Sequence, residues 1–127
     1  MYQGHKFYTC SHCNNIASLV MDSGPPLVCC GEKMGVLVPN TVDASVEKHL
    51  PAVTLEGDTL TVQIGSVAHP MTQEHHISFI YVETEAGGQR KRLDIGQEPV
   101  QKFTFVADKP KAVFAYCNLH GMWLTEL

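Results

Sequence analysis

The sequence predicts a mainly β protein in two parts: a small metal-binding module over residues 1–38, then an immunoglobulin-like β-sandwich over residues 39–127. Three observations carry this expectation. Four of the five cysteines stand early in the chain, as Cys10, Cys13, Cys29 and Cys30. From Ala52 onward, short runs rich in Ile, Val, Phe and Tyr alternate with turn signals at intervals of roughly eight to twelve residues, the pattern of a sandwich. The fifth cysteine opens Cys117-Asn118-Leu119-His120, a Cys-x-x-His pair set between the strand-like run Ala112 to Tyr116 and Gly121.

Composition agrees. A chain of 127 residues holds one ordinary domain, or a small module joined to a domain of about 90 residues. Hydrophobic residues make up 44%, enough for a folded core and too many for a disordered chain. The formal net charge of -4 and a pI near 5.9 argue against a nucleic-acid partner, which calls for a basic face. No apolar run approaches the ~20 residues that cross a membrane, and the stretch from Met1 to Cys10 lacks the apolar run of a signal peptide. A cytoplasmic location away from membranes is therefore expected. Five cysteines cannot all pair within one chain, and in a reducing compartment clustered cysteines read as metal ligands before disulfides.

Residues 1–38 contain Cys10-x2-Cys13 and, after fifteen intervening residues, the adjacent pair Cys29-Cys30. Asn14, Asn15, Ser23, Gly24, Pro25 and Pro26 place turns between short apolar pieces. So small a segment has little core of its own, and modules of this size usually need a metal or disulfides to fold. Four thiolates suit tetrahedral iron or zinc. A zinc ribbon uses two Cys-x-x-Cys knuckles. The adjacent pair cannot form the second knuckle, which favours iron in a distorted site. His12, between two ligands, is expected to be exposed or to support them, and His5 to be solvated.

Pro39 to Pro51 reads as a linking loop, with a short helical turn after Asp43 capped by Asp43 or Thr41, and with His49 to Leu50 restrained toward an extended form by Pro51. Thr59 to Ile64 alternates Leu60, Val62 and Ile64 with polar residues, a half-buried strand. His76 to Glu83 follows, then a hairpin turn at Ala86-Gly87-Gly88 and strands over Arg90–Ile95, Lys102–Ala107, Ala112–Tyr116 and Met122–Glu126.

The second part carries His49, His69, His75 and His76 beside the Cys117/His120 pair. The first three sit at loops or strand ends, which converge at one end of a sandwich. Imidazoles with one thiolate suit iron, with copper or zinc as alternatives. His75 and His76 are neighbours on a strand and face opposite ways, so only one of them faces the metal. Strand parity leaves the choice open.

Taken together, these motifs resemble desulfoferrodoxin, the two-iron form of superoxide reductase, across essentially the whole chain. The resemblance lies in Tyr8-Thr9-Cys10-Ser11-His12-Cys13-Asn14-Asn15, in Leu27 to Met34, Asn40 to Ala44 and Glu47 to Pro51, in Gly65-Ser66-Val67-Ala68-His69-Pro70-Met71, and in Tyr116 to Trp123. It implies a desulforedoxin-like module with one iron on Cys10, Cys13, Cys29 and Cys30. It also implies a catalytic iron on His49, His69, His75, His120 and Cys117, with His76 not a ligand. The activity implied is one-electron reduction of superoxide to hydrogen peroxide at a non-haem iron, without release of oxygen, as a defence against oxidative stress. In that reading Lys48 attracts superoxide and orients a proton-donating water, and Glu47 closes the oxidised site as a further ligand. A small electron donor such as rubredoxin and a homodimer are also implied. Two other readings compete: an electron carrier, and a structural zinc protein.

Overall fold

The computed structural model describes residues 2–127, and the chain forms two compact units, Met1–Val38 and Pro39–Leu127. In the first, five strands of two residues each make one three-stranded sheet and one hairpin. The sheet has the order β2 (Ile16–Ala17), β1 (Tyr8–Thr9), β5 (Gly35–Val36), all antiparallel. The hairpin joins β3 (Val28–Cys29) to β4 (Glu32–Lys33). Among the described residues, Phe7 and Cys10 are the buried apolar side chains of this unit, so little but the cysteine cluster can hold it together. His5 is half-buried, its ring set edge-on to Phe7 at 4.6 Å. It is not simply solvated as expected, because its ring packs against Phe7.

The second unit is a sandwich of two antiparallel sheets. One has the order β10 (Val100–Thr104), β7 (Thr59–Ile64), β6 (Pro51–Glu56); the other has β12 (Gly121–Glu126), β11 (Pro110–Cys117), β8 (Ile77–Thr84), β9 (Gly87–Arg92). The core lies between them. Leu60, Val62 and Ile64 of β7 face Ile80 and Val82 of β8 and Val113, Ala115 and Cys117 of β11, with Phe103 and Phe105 closing the side. Each set alternates along its strand, as a sheet with one face in the core requires. Among the described residues no helix is long and apolar enough to cross a membrane.

β7 coincides with its expected limits; other limits shift. Among the described residues the one helical turn, α1 (Val46–His49), lies after Asp43 as expected but is capped by Ser45, not Asp43 or Thr41, and it takes in His49, leaving only Leu50 extended before Pro51. No side-chain cap holds it. The Ser45 carbonyl instead takes the Lys48 N–H and the His49 ring N–H, so a metal-site histidine supplies the tie that a cap would give. The hairpin between β8 and β9 turns at Glu85-Ala86, because Gly87 and Gly88 join the strand. The Tyr81 phenol lies across Gly88, where a Cβ would sit 2.1 Å from its oxygen.

Three segments meet at one end of the sandwich: α1, the stretch between β7 and β8, and the turn between β11 and β12. Gly65 fixes the first against the second. It has φ +68°, and an added Cβ would lie 2.5 Å from the Glu47 carbonyl oxygen. That carbonyl accepts the Val67 N–H (3.0 Å) and the Ser66 hydroxyl (3.3 Å).

Candidate metal centres

In the first unit the sulfurs of Cys10, Cys13, Cys29 and Cys30 lie within 4.8 Å of one another. Cys13 and Cys29 are 3.6 Å apart, and Cys29 and Cys30 are 3.9 Å apart. Four sulfurs at tetrahedral corners, with metal bonds of about 2.3 Å, would be separated by ~3.8 Å. The two halves reach this spacing differently. Cys10 and Cys13 flank a tight loop closed by Asn14 N–H to Cys10 carbonyl at 2.9 Å. Cys29 ends β3, and Cys30 and Gly31 form the hairpin turn with φ of 53° and 76°, the type I′ pattern. The left-handed backbone at Cys30 lets adjacent residues address one point.

The thiols are set apart electrostatically. Cys10 is drawn down to about 6 by the backbone N–H groups of Cys13 and His12. Cys30 is pushed up to about 12 by the crowded sulfurs of Cys13, Cys10 and Cys29. Four thiolates cannot coexist here without a cation, so the donor set fits a bound metal. His12 is exposed and paired with the Glu32 carboxylate, bridging the loops on either side of the cluster without joining it.

In the second unit, donor atoms of His49, His69, His75 and Cys117 also lie within 4.8 Å of one another. His120 joins through Nδ1, 3.1 Å from His49 Nε2 and 3.7 Å from Cys117 Sγ. All five expected residues are thus brought together. His76 is not, and the reason is visible: β8 begins only at Ile77, so strand parity never applied to the pair. The His76 ring turns back to the Thr72 carbonyl at 3.0 Å.

The ring tautomers are fixed from behind. His49 donates Nδ1–H to the Ser45 carbonyl (2.6 Å), and His69 donates Nδ1–H to the Pro70 carbonyl (2.7 Å). Each therefore aims a bare Nε2 lone pair inward, the arrangement that orients metal-bound histidine. Those two lone pairs face each other at 3.2 Å, and His75 Nε2 is buried with no hydrogen-bond partner. Lone pairs so placed repel unless a cation lies among them. Donors at right angles around one first-row ion, with bonds of about 2.1 Å, stand ~3.0 Å apart, so the residues fit a metal.

Burial sets the protonation. His69 is pushed down to about 4 by desolvation, opposed by the Pro70 hydrogen bond. Desolvation likewise lowers His49 and His75, with His120 and then the Lys48 charge adding to it. All three are held neutral and ready to coordinate. Burial raises Cys117, while the backbone N–H groups of Leu119 and His120 favour its thiolate. Trp123, which the sequence reading did not single out, stacks on the His49 ring at 4.9 Å and donates its indole N–H to the His120 carbonyl at 3.1 Å.

Lys48 is exposed, and its charge is felt at His49 and His75. The Glu47 side chain instead lines a groove of about 570 Å³ with Val46, Leu50, Pro51 and Ser66. Among the described residues, its carboxylate makes no hydrogen bond or ion pair to the cluster.

Fold and sites define a β protein with two separate donor clusters that fit metal ions, one all-sulfur and one of histidines with a single cysteine. A family model described as desulfoferrodoxin matches residues 41–126. A desulfoferrodoxin homolog of Archaeoglobus fulgidus is 42% identical over 116 residues, covering 91% of this chain and 92% of that one. The desulfoferrodoxin of Nitratidesulfovibrio vulgaris is 39% identical, covering 96% of each. The superoxide reductase of Treponema pallidum superposes with a TM-score of 0.81 at 32% identity, over 98% of this chain and all of its own. The chain belongs to the desulfoferrodoxin family.

Proposed function

We propose that this chain is a superoxide reductase that takes superoxide to hydrogen peroxide by one-electron reduction, without releasing oxygen. The observation that carries the reading is the convergence of His49, His69, His75, His120 and Cys117 on one point at the end of the sandwich. Those five residues would hold iron. Bound there, ferrous iron supplies the electron that superoxide takes up.

The chain's own residues do the rest. The carbonyls of Ser45 and Pro70 keep two imidazoles in the metal-binding tautomer. The Leu119 and His120 N–H groups stabilise a Cys117 thiolate that burial alone would protonate. Lys48 places a positive charge beside the site in a chain of net charge -4, whose overall field repels an anion. Its ammonium draws superoxide in and orients the water that delivers a proton. Glu47, one residue away on α1, supplies the carboxylate that would close the oxidised site.

Cys10, Cys13, Cys29 and Cys30 would hold the second iron in a desulforedoxin-like module that relays electrons. A small donor protein such as rubredoxin fits that role. The apolar residues Val20, Met21 and Val28, exposed on a unit with almost no core, support assembly as a homodimer. Five free cysteines fit the reducing cytoplasm and a part in superoxide detoxification.

The test is rapid mixing of the reduced, iron-loaded protein with superoxide. Appearance of the ferric thiolate-to-iron absorption, with one peroxide per oxidised catalytic centre and no oxygen evolved, is expected. Oxygen release would mean dismutation, and no rapid oxidation by superoxide would mean a simple electron carrier.

A further inference from the structure

We propose that Asn118 is the residue that positions His75 in the metal site, by clamping the Glu74–His76 segment onto the turn that carries Cys117 and His120. The inference rests on reading the five-residue cluster as an iron site. His49 and His69 are each aimed by a ring hydrogen bond to a backbone carbonyl. His75 has no such tether among the described residues; its ring nitrogen Nε2 is buried without a partner. Its direction must therefore come from the backbone that carries it.

That backbone is held on both sides by one side chain. Asn118 Oδ1 accepts the His76 N–H at 2.8 Å, and Asn118 Nδ2 donates to the Glu74 carbonyl at 2.9 Å. The Asn118 main-chain N–H adds a third bond, to the His76 carbonyl at 3.2 Å. A planar amide is one of the few groups that carries a donor and an acceptor side by side, as a segment offering a carbonyl at 74 and an N–H at 76 requires. The pairing prolongs the β8–β11 ladder past its last rung, Cys117 to Ile77, where the register is already irregular.

Thr72 closes the same loop from within. Its hydroxyl accepts the His75 N–H (3.1 Å) and donates to the His75 carbonyl (3.1 Å), and its own N–H donates to that carbonyl (2.9 Å). The His76 ring is consumed as a further tie to the Thr72 carbonyl. Asn118 thus couples two ligand-bearing loops, and the same bonds that turn His75 inward keep His76 out. Asn118 is exposed, so replacing it opens no hole in the core.

The test uses the full-length, iron-loaded protein with Asn118→Ala and Asn118→Asp. The alanine removes both amide bonds. The aspartate keeps the size and the acceptor for His76 N–H but sets a carboxylate oxygen against the Glu74 carbonyl. Ferrous affinity of the histidine-rich centre is measured by chelator competition, together with the visible and paramagnetic resonance spectra of the oxidised centre. The four-thiolate absorption is the internal control for folding and loading. A tenfold or larger rise in Kd is expected in both variants, with an altered spectrum at the histidine-rich centre and an unchanged four-thiolate centre. A Kd within twofold of the parent and an unaltered spectrum would overturn the proposal, whatever the change in thermal stability. Should the alanine variant lose the four-thiolate centre as well, the aspartate variant decides on the same criteria. Failure of the parent to bind iron on the histidines is a different result, one that overturns the reading of the site itself.

Discussion

Gly65→Ala tests whether the carbonyl of Glu47 is held in place by backbone packing, and Gly57→Ala supplies its control. Both glycines have left-handed backbone, φ +68° and +62°. An L side chain there costs about 1–2 kcal/mol, offset by ~0.4–1 kcal/mol from the stiffer unfolded chain. At Gly57 that is the whole effect, because nothing lies within 4 Å of the new Cβ. At Gly65 the Cβ would meet the Glu47 oxygen at 2.5 Å, the Val67 oxygen at 2.5 Å and the Lys48 carbonyl carbon at 2.6 Å. These are backbone atoms and cannot rotate away, so overpacking adds about 1–3 kcal/mol. In a unit of roughly 90 residues each kcal/mol moves Tm by about 4–8 °C. Gly65→Ala should therefore melt ~5–20 °C below Gly57→Ala in matched circular dichroism scans of the metal-free protein. Since α1 carries Lys48, the same variant should also react more slowly with superoxide once loaded with iron. Equal melting temperatures for the two variants would refute the packing argument.

Four further outcomes are expected. Cys13→Ser abolishes the four-thiolate absorption and leaves reaction with superoxide at the other centre largely intact; loss of both would show that the second unit does not act alone. Cys117→Ser removes the thiolate-to-iron band of the catalytic centre and most of the activity, and an unchanged band would exclude Cys117 as a ligand. Lys48→Ile slows the encounter with superoxide by roughly tenfold at low salt and flattens its ionic-strength dependence; rates equal to the parent's across a salt series would exclude steering. The metal-free second unit loses stability as pH falls from 6.5 toward about 4, because the unfolded chain takes up a proton at His69 that burial denies the folded one. His49 and His75 act in the same direction, and denaturant titrations across that range showing no such slope would contradict their burial as neutral rings.

The four-cysteine site was legible because its ligands are of one kind and locally spaced, whereas the full ligand set of the second site, spread from His49 to His120, came only from the family resemblance. Cys10, Cys13, Cys29 and Cys30 are gathered as expected, and so are His49, His69, His75, Cys117 and His120. Alternation sufficed for β7, where Leu60, Val62 and Ile64 are fully buried. It failed to separate His75 from His76, because the answer lies in where β8 starts, and Asn118, forty-two residues further on, is bonded at that point. The cap of α1 was misplaced for a similar reason. Ser45 acts through its carbonyl, which every residue has, so no side-chain type could announce it. At Gly87 and Gly88 the usual turn signal misled, since both join β9 and the Tyr81 phenol fills the space where a Gly88 side chain would stand.

Trp123 is the chain's single tryptophan, and it lies stacked on one of the metal-site histidines. Its emission therefore comes from the second unit alone and is silent about the first. A paramagnetic ion held by the neighbouring imidazole would quench that emission at van der Waals range, whereas zinc in the same place would leave it bright. The indole N–H bond to the His120 carbonyl ties the chromophore to the loop that closes the cluster, so loosening of that loop would shift the emission to longer wavelength before the sandwich itself opened. The protein carries its own optical gauge of which metal is loaded and of when the site, as distinct from the fold, begins to fail.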